Sequence, residues 1–193
     1  MAKKKYEFRP DRTDSGWLRK LYLTKKQRLS LLKWLLYALV LLVLSVLQDV
    51  ILCRMDIFGT TTDLVPCAIL LICVYQGTEN GCVFALIAAC FYQFSGTAPG
   101  YYVIVLLPAL GIFTALLRQC YLRKTKSADL LCTCCATIVY ELSLFVICAF
   151  SGLTGWGRWL QYLLTALLSL IPLPVLYPIS RAIDKIGGEV WKE

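Results

Sequence analysis

Six long apolar runs, separated by short polar connectors, dominate the pattern of this chain. They span residues 29–47, 64–75, 81–94, 101–117, 128–150 and 159–180. A helix needs about 20 mostly apolar residues to cross the hydrocarbon core of a bilayer. Four of the runs approach or exceed this length. The pattern therefore predicts an all-α fold, a polytopic transmembrane helical bundle with about six spans.

The second and third runs are the shortest, with 12 and 14 residues. The second reaches spanning length only if it extends from Thr60 to Gln76, which brings Asp63 into the membrane interface. Alternatively, the two runs form a re-entrant hairpin that turns at residues 78–80, an arrangement that requires other helices to bury it. We favour six spans, and the hairpin stays open as the alternative.

The basic residues are distributed unevenly between the connectors. Eleven of the 20 Lys and Arg residues lie in residues 1–33, four follow the fourth run and three lie near the C-terminus. The connectors after the first, third and fifth runs hold only Arg54 and Arg158. Cytoplasmic loops near spans collect Lys and Arg, so this asymmetry predicts that both termini are cytoplasmic. It also accounts for the net charge of +8 without nucleic acid as a partner.

Three segments follow from this pattern. Residues 1–28 form a basic cytoplasmic tail, residues 29–186 a six-span membrane domain, and residues 187–193 a short cytoplasmic tail. Within the first tail, an apolar stripe of Trp17, Leu18, Leu21 and Tyr22 is flanked by basic residues. Such a segment can lie as a helix on anionic lipid. A solvated, disordered tail is the alternative.

Composition argues against catalysis. The chain has no histidine, which removes Ser-His and Cys-His nucleophile pairs and most zinc sites. Eight of its ten cysteines fall inside the apolar runs, where cysteine behaves as a small hydrophobe. The longest external connector, residues 48–63, is about sixteen residues long and leaves no room for a soluble catalytic domain. We expect no enzyme activity, no cofactor and no metal site.

Glu141 is the most conspicuous polar residue, because it lies near the middle of the fifth run. An ionised group at that depth costs about 2.5 kcal/mol or more, and intramembrane carboxylates are candidates for function for that reason. One interpretation is that it binds a cationic ligand or a partner's cation. The other is structural, with a protonated Glu141 hydrogen-bonded to Tyr140, Tyr162 or Gln161.

Small residues and prolines predict how the helices pack and bend. Ala85 with Ala89, and Gly111 with Ala115, recur at four-residue spacing and favour close helix packing. We assign this packing to the interior of the bundle in preference to an oligomer face. Proline removes a backbone donor, so Pro172 and its neighbour Pro174 should break the sixth helix.

One order of features runs through nearly the whole chain. A basic tail leads to a span ending in Leu47-Gln48, and a short loop with Gly59 precedes Asp63, Leu64, Val65 and Pro66. A small-residue turn from Gly77 to Gly81, a glycine-bounded loop at residues 96–100 and a proline-bearing last span follow. This order resembles the rod shape-determining protein MreD family. The resemblance covers about residues 30–186. The family often carries an Asp after its third span, where this chain reads Tyr92-Gln93-Phe94-Ser95.

The resemblance implies a non-enzymatic scaffold of the bacterial cell-shape and peptidoglycan elongation machinery, placed in the cytoplasmic membrane. Its expected partners are an MreC-like protein and other elongation-complex membrane proteins. The matching positions are Gln48, Gly59, Asp63, Gly77 and Gly81, which with Glu141 are the candidate partner-contact or structural residues. The alternative class is the substrate-binding membrane component of an energy-coupling-factor vitamin importer, which is similarly small and loop-poor. Such components usually dock through an Ala-x-x-x-Ala face on the first helix, whereas this chain offers Ala38 and Ser45, seven residues apart.

Overall fold

The computed structural model describes residues 25–54, 59–121 and 125–186, and this part of the chain is helical with no β-strand. Two 3₁₀ turns, Leu52–Arg54 and Trp156–Arg158, accompany seven α-helices. The α-helices are α1 (Lys25–Val50), α2 (Leu64–Gln76), α3 (Thr78–Phe94), α4 (Val103–Tyr121), α5 (Lys126–Phe150), α6 (Trp159–Leu170) and α7 (Leu173–Ile186). The all-α prediction is confirmed. The predicted interfacial stripe and the C-terminal tail lie outside the described residues.

Three helical segments are long and apolar enough to cross a membrane: Gln27–Arg54, Val103–Cys120 and Lys126–Phe150. A fourth is added if α6 and α7, which meet at a bend of 50°, form one broken span. The bend lies at the break predicted from Pro172 and Pro174, since α6 ends at Leu170 and α7 begins at Leu173. The prolines therefore break the last run, while Pro108 and Pro178 are accommodated inside α4 and α7.

Helix α2 occupies the centre of the bundle. Every residue from Leu64 to Gln76 is buried, and α2 contacts each of the other six helices. A helix that is apolar on all sides is expected to be enclosed in this way. Its 13 residues span about 20 Å at 1.5 Å per residue, which is short of a hydrocarbon core of about 30 Å. The surrounding helices supply the cover that such a short helix needs.

Small side chains bring α3 and α4 close to this centre. Ala85, Ala89 and Ala115 are buried, and a Cβ added to Gly111 would lie 3.0 Å from the Sγ atom of Cys73 in α2. The predicted small-residue positions therefore pack within the bundle, as the sequence analysis expected.

The outer surface of the bundle is apolar. On α1 alone, Leu35, Leu39, Leu42 and Val46 are more than half exposed. A soluble monomer rarely exposes so continuous an apolar face, whereas a helix that faces lipid requires one. The surface and the long apolar helices together are typical of a membrane protein.

The connectors alternate between the two ends of the bundle. At one end meet the linker between α1 and α2, the α3–α4 connector and the α5–α6 connector, because all three line one cavity. At the other end, Arg118 binds Asp129 at 2.6 Å and donates to the carbonyl of Val74. Lys33 binds Asp184 at 2.6 Å near the start of α1 and the end of α7. We call these the cavity end and the ion-pair end.

Candidate functional site

A polar cavity of about 430 Å³ opens at the cavity end of the bundle. Its wall is built from the α1–α2 linker, the end of α3, the middle of α5 and the start of α6. Among the described residues, the charged ones on its lining are Asp63, Glu141 and Arg158. Small-molecule sites in proteins have volumes of about 300–1,000 Å³, so the cavity is large enough for a small organic ligand.

Gln48 connects the end of α1 to the beginning of α2. Its side-chain oxygen accepts hydrogen bonds from the backbone N–H groups of Leu64 and Val65, at 3.0 and 3.1 Å. Its Nε2 atom donates to Oδ1 of Asp63 at 2.8 Å. The first N–H groups of a helix lack partners inside the helix, and Asp63 at the N-cap position forms no capping bond of its own. Gln48 therefore supplies the cap of the central helix from a distance of sixteen residues in the chain.

Asp63 is the centre of a hydrogen-bonded cluster at the edge of the cavity. Besides the bond from Gln48, the Tyr92 hydroxyl lies 2.8 Å from both of its carboxyl oxygens. The backbone N–H of Asp63 donates to the Ser169 hydroxyl at 2.8 Å, which ties the linker to α6. Burial raises the pKa of Asp63 to about 6, and the hydrogen bonds from Tyr92 and Gln48 oppose that rise. The two donors therefore favour the ionised form of this carboxyl group and act against the effect of burial.

Glu141 reaches the same cavity from the middle of α5. The residue is 3% exposed, and its Oε1 atom is buried without a hydrogen-bond partner among the described residues. The bonds to Tyr140, Tyr162 or Gln161 that the structural interpretation requires are not formed in this part of the chain, and the Tyr140 hydroxyl also lacks a partner there. A buried polar group without a partner costs about 1–3 kcal/mol, so a donor placed in the cavity would stabilise the Glu141 carboxyl group.

The candidate residues divide between the two ends of the bundle. Gly59, which has a φ of +74° that favours glycine, lies on the cavity wall with Gln48, Asp63 and Glu141. Gly77 and Gly81 lie at the far ends of α2 and α3. Gly77 has a φ of +80° in the turn, and a Cβ on Gly81 would lie 3.2 Å from the Cys73 backbone. The glycines of that turn therefore serve close packing and do not contribute to the cavity.

The charges of the cavity are unbalanced. The part of the lining that the structure describes has two carboxyl groups, those of Asp63 and Glu141, and one guanidinium group, that of Arg158, which is exposed in the 3₁₀ turn before α6. Neither carboxyl group forms an ion pair among the described residues, where the only salt bridges are the two at the ion-pair end. No group of three or more His, Cys, Asp or Glu side chains there is placed to hold a metal ion. The described lining therefore carries a net negative charge when both carboxyl groups are ionised.

Sequence reasoning named Gln48, Asp63 and Glu141 as candidates and did not name three residues that the structure places beside them. Tyr92 stands in the segment noted only as a departure from the family pattern, Ser169 lies in the middle of an apolar run, and Arg158 was counted only as a topogenic charge. Tyr92 and Ser169 are polar residues within apolar runs, and that pattern is the signal that would have marked them.

A second depression lies on the outer surface between α1 and α3. It is an apolar groove of about 290 Å³ whose floor includes Val65 of α2. Ala38 and Ser45 of α1 and Ala88 of α3 line it, and their small side chains leave room for another helix to approach. We call this the lateral groove.

No protein-family model, no curated protein and no solved structure matches this chain. What the cavity and the lateral groove can do is therefore read from their own residues.

Proposed function

We propose that this protein is a non-enzymatic membrane scaffold of the bacterial cell-shape and peptidoglycan elongation machinery, similar to MreD proteins. The observation that carries the proposal is that the positions matching that family hold the two ends of the central helix α2. Gln48 and Asp63 are hydrogen-bonded to each other and together fix the start of the central helix. Gly77 and Gly81 shape the turn at its other end. These positions build a bundle and present no nucleophile with a neighbouring base, which suits a protein that works by contact.

The proposal includes a topology of six spans with both termini in the cytoplasm of a bacterium. In support, the connectors after α1, α3 and α5 meet at the cavity end, and those after α2 and α4 lie at the ion-pair end. Arg54 and Arg158 fall at the cavity end, while the described basic residues Lys33, Arg118 and Lys185 lie near the ion-pair end. The positive-inside rule therefore favours a cytoplasmic ion-pair end. Reporter fusions at Met1 and Glu193 test this, and an externally accessible reporter at either end would contradict it.

The lateral groove is the surface that we propose for a partner helix, specifically the membrane span of an MreC-like protein. Small residues let two helix backbones approach closely, and Ala38, Ser45 and Ala88 provide such positions on both walls of the groove. A photo-reactive amino acid at Ser45 should crosslink that partner in cells. The same amino acid at Val146, on an exposed face of α5, should not. Equal crosslinking from both positions would count against the groove.

Depletion in the rod-shaped host tests the scaffold function itself. Loss of the protein should make cells round up or swell, and no added nutrient should restore their shape, because a scaffold supplies no metabolite. Cells that keep their rod shape after full depletion would contradict the proposal.

The cavity favours a second candidate, the substrate-binding membrane component of a vitamin importer. Its volume and its convergent polar groups are those of a small-molecule site. Depletion distinguishes the two, because a vitamin supplement that restored both growth and shape would favour the importer.

A further inference from the structure

We propose that the polar cavity between the α1–α2 linker, α5 and α6 is a binding site for an organic cation, with Glu141 as its primary carboxylate and Asp63 as its second. The ligand group is an ammonium or a guanidinium. The inference does not depend on the scaffold function, because it concerns the occupant of the cavity and holds whether the cation is a free small molecule or part of a partner protein.

Glu141 supplies the first argument. Its carboxyl group is almost completely buried at the cavity wall, and its Oε1 atom has no partner among the described residues. Buried charges in proteins are normally paired, since an isolated carboxylate in a medium of low dielectric constant is strongly disfavoured. No Lys or Arg of the described residues pairs with it, so an ionised Glu141 needs a cation from outside these residues. A cation in the cavity would supply it.

Asp63 supplies the second argument. Tyr92 and Gln48 both donate hydrogen bonds to its oxygens, a pattern that fits an ionised carboxylate. Two carboxyl groups on one cavity repel each other when both are ionised, and a cation between them removes this repulsion. The lining thus becomes favourable for both acids only when a positive charge is present.

The aromatic lining supplies the third argument and distinguishes an organic cation from a bare metal ion. The rings of Tyr92 and Tyr162 line the cavity, and tyrosine faces attract ammonium and guanidinium groups. A cavity of about 430 Å³ is far larger than a bare ion needs. Arg158 lies at the exposed rim, where its charge opposes the entry of cations and limits their affinity.

The test uses the purified full chain in detergent micelles and pairs of probes that differ in charge but hardly in shape. Butylguanidinium and neutral butylurea represent a free ligand. Arginine and citrulline, each N-acetylated and C-amidated, represent a side chain of a partner protein. Saturation-transfer NMR with competition titration gives the affinity of each probe. We expect at least one cationic probe to bind about tenfold or more tightly than its neutral counterpart, because a hydrogen bond to a charged group is stronger than one between neutral groups. Tenfold corresponds to about 1.4 kcal/mol.

Three variants assign the binding to the cavity. Glu141→Gln should remove the preference for the cationic probe. Glu79→Gln, which makes the same change at an exposed position near the ion-pair end, should leave it unchanged. Arg158→Gln removes the rim charge from an exposed position and should strengthen cation binding, so the proposal stays testable even if Glu141→Gln does not fold.

The outcomes separate as follows. A preference for butylguanidinium alone identifies a free ligand, and a preference for capped arginine alone identifies a partner side chain; both support the cation site. Equal binding of charged and neutral probes overturns the proposal. So does a cation preference that survives in a folded Glu141→Gln protein, or one that does not rise in Arg158→Gln.

Discussion

The capping of α2 by Gln48 leads to the sharpest prediction about the fold. In Gln48→Met the side chain keeps its approximate volume but loses three hydrogen bonds, at 2.8, 3.0 and 3.1 Å. Hydrogen bonds between membrane helices average about 0.6 kcal/mol, which sets a lower limit of about 2 kcal/mol for three. The N–H groups of Leu64 and Val65 are left buried and unpaired, at about 1–3 kcal/mol each. We expect the free energy of unfolding to fall by about 2–6 kcal/mol.

The native cysteines provide the assay for this loss. Cys67 and Cys73 lie in α2 and are 0% exposed, so they react with a fluorogenic maleimide only when the central helix loses its cover. Their labelling should begin at lower SDS concentration in Gln48→Met than in the parent, after the exposed cysteines have reacted. Gln119→Met, at an exposed position on α4, is the matched control and should label like the parent. If Gln48→Met is indistinguishable from this control, the capping interpretation is refuted.

Three further predictions concern the cavity and the turn. Tyr92→Phe removes the hydroxyl that donates to Asp63 and should lower the free energy of unfolding by about 1 kcal/mol in the same SDS titration; an unchanged midpoint would refute it. Gly81→Ala places a Cβ 3.2 Å from the backbone of α2 and should destabilise the bundle, whereas Gly155→Ala, with open space around it, should not; equal effects of the two substitutions would be contrary evidence. Cation binding should weaken as the pH falls through about 6, because Asp63 is ionised above that pKa and protonated below it. Glu141 is the other carboxyl group on the described lining of the cavity. Binding that is constant between pH 7 and 5 would exclude Asp63 as a contributing charge.

Local chemistry made some features of the fold predictable. The break in the last run followed from Pro172 and Pro174, because a proline lacks the backbone donor that a helix interior uses. The same rule does not fix every position, since Pro108 and Pro178 lie inside α4 and α7. Ala85 and Ala89 were assigned to interior packing because small residues at four-residue spacing lie on one helix face. The all-α class followed from the length and the apolar character of the runs.

The geometry of the site could not be predicted, because it depends on residues that are distant in the sequence. Gln48 is separated by 15 residues from Asp63, and Ser169 by 106, so no local pattern indicates that all three meet. The sequence offered Glu141 as a candidate through the energetic cost of its position, but whether it had a partner depended on how α5 packs. The central position of α2 is also a tertiary property, since a short apolar run is equally consistent with a span or a hairpin.

The identity of the proteins that bind this chain is the most direct test of the scaffold function. Affinity purification of the full chain from host membranes in mild detergent, followed by mass spectrometry, identifies them. We expect an MreC-like protein together with peptidoglycan elongation synthases, and we expect these partners to be lost when the lateral groove is blocked by Ser45→Trp. Recovery of a coupling transmembrane protein with two ATPases in their place would contradict the scaffold function and establish the importer.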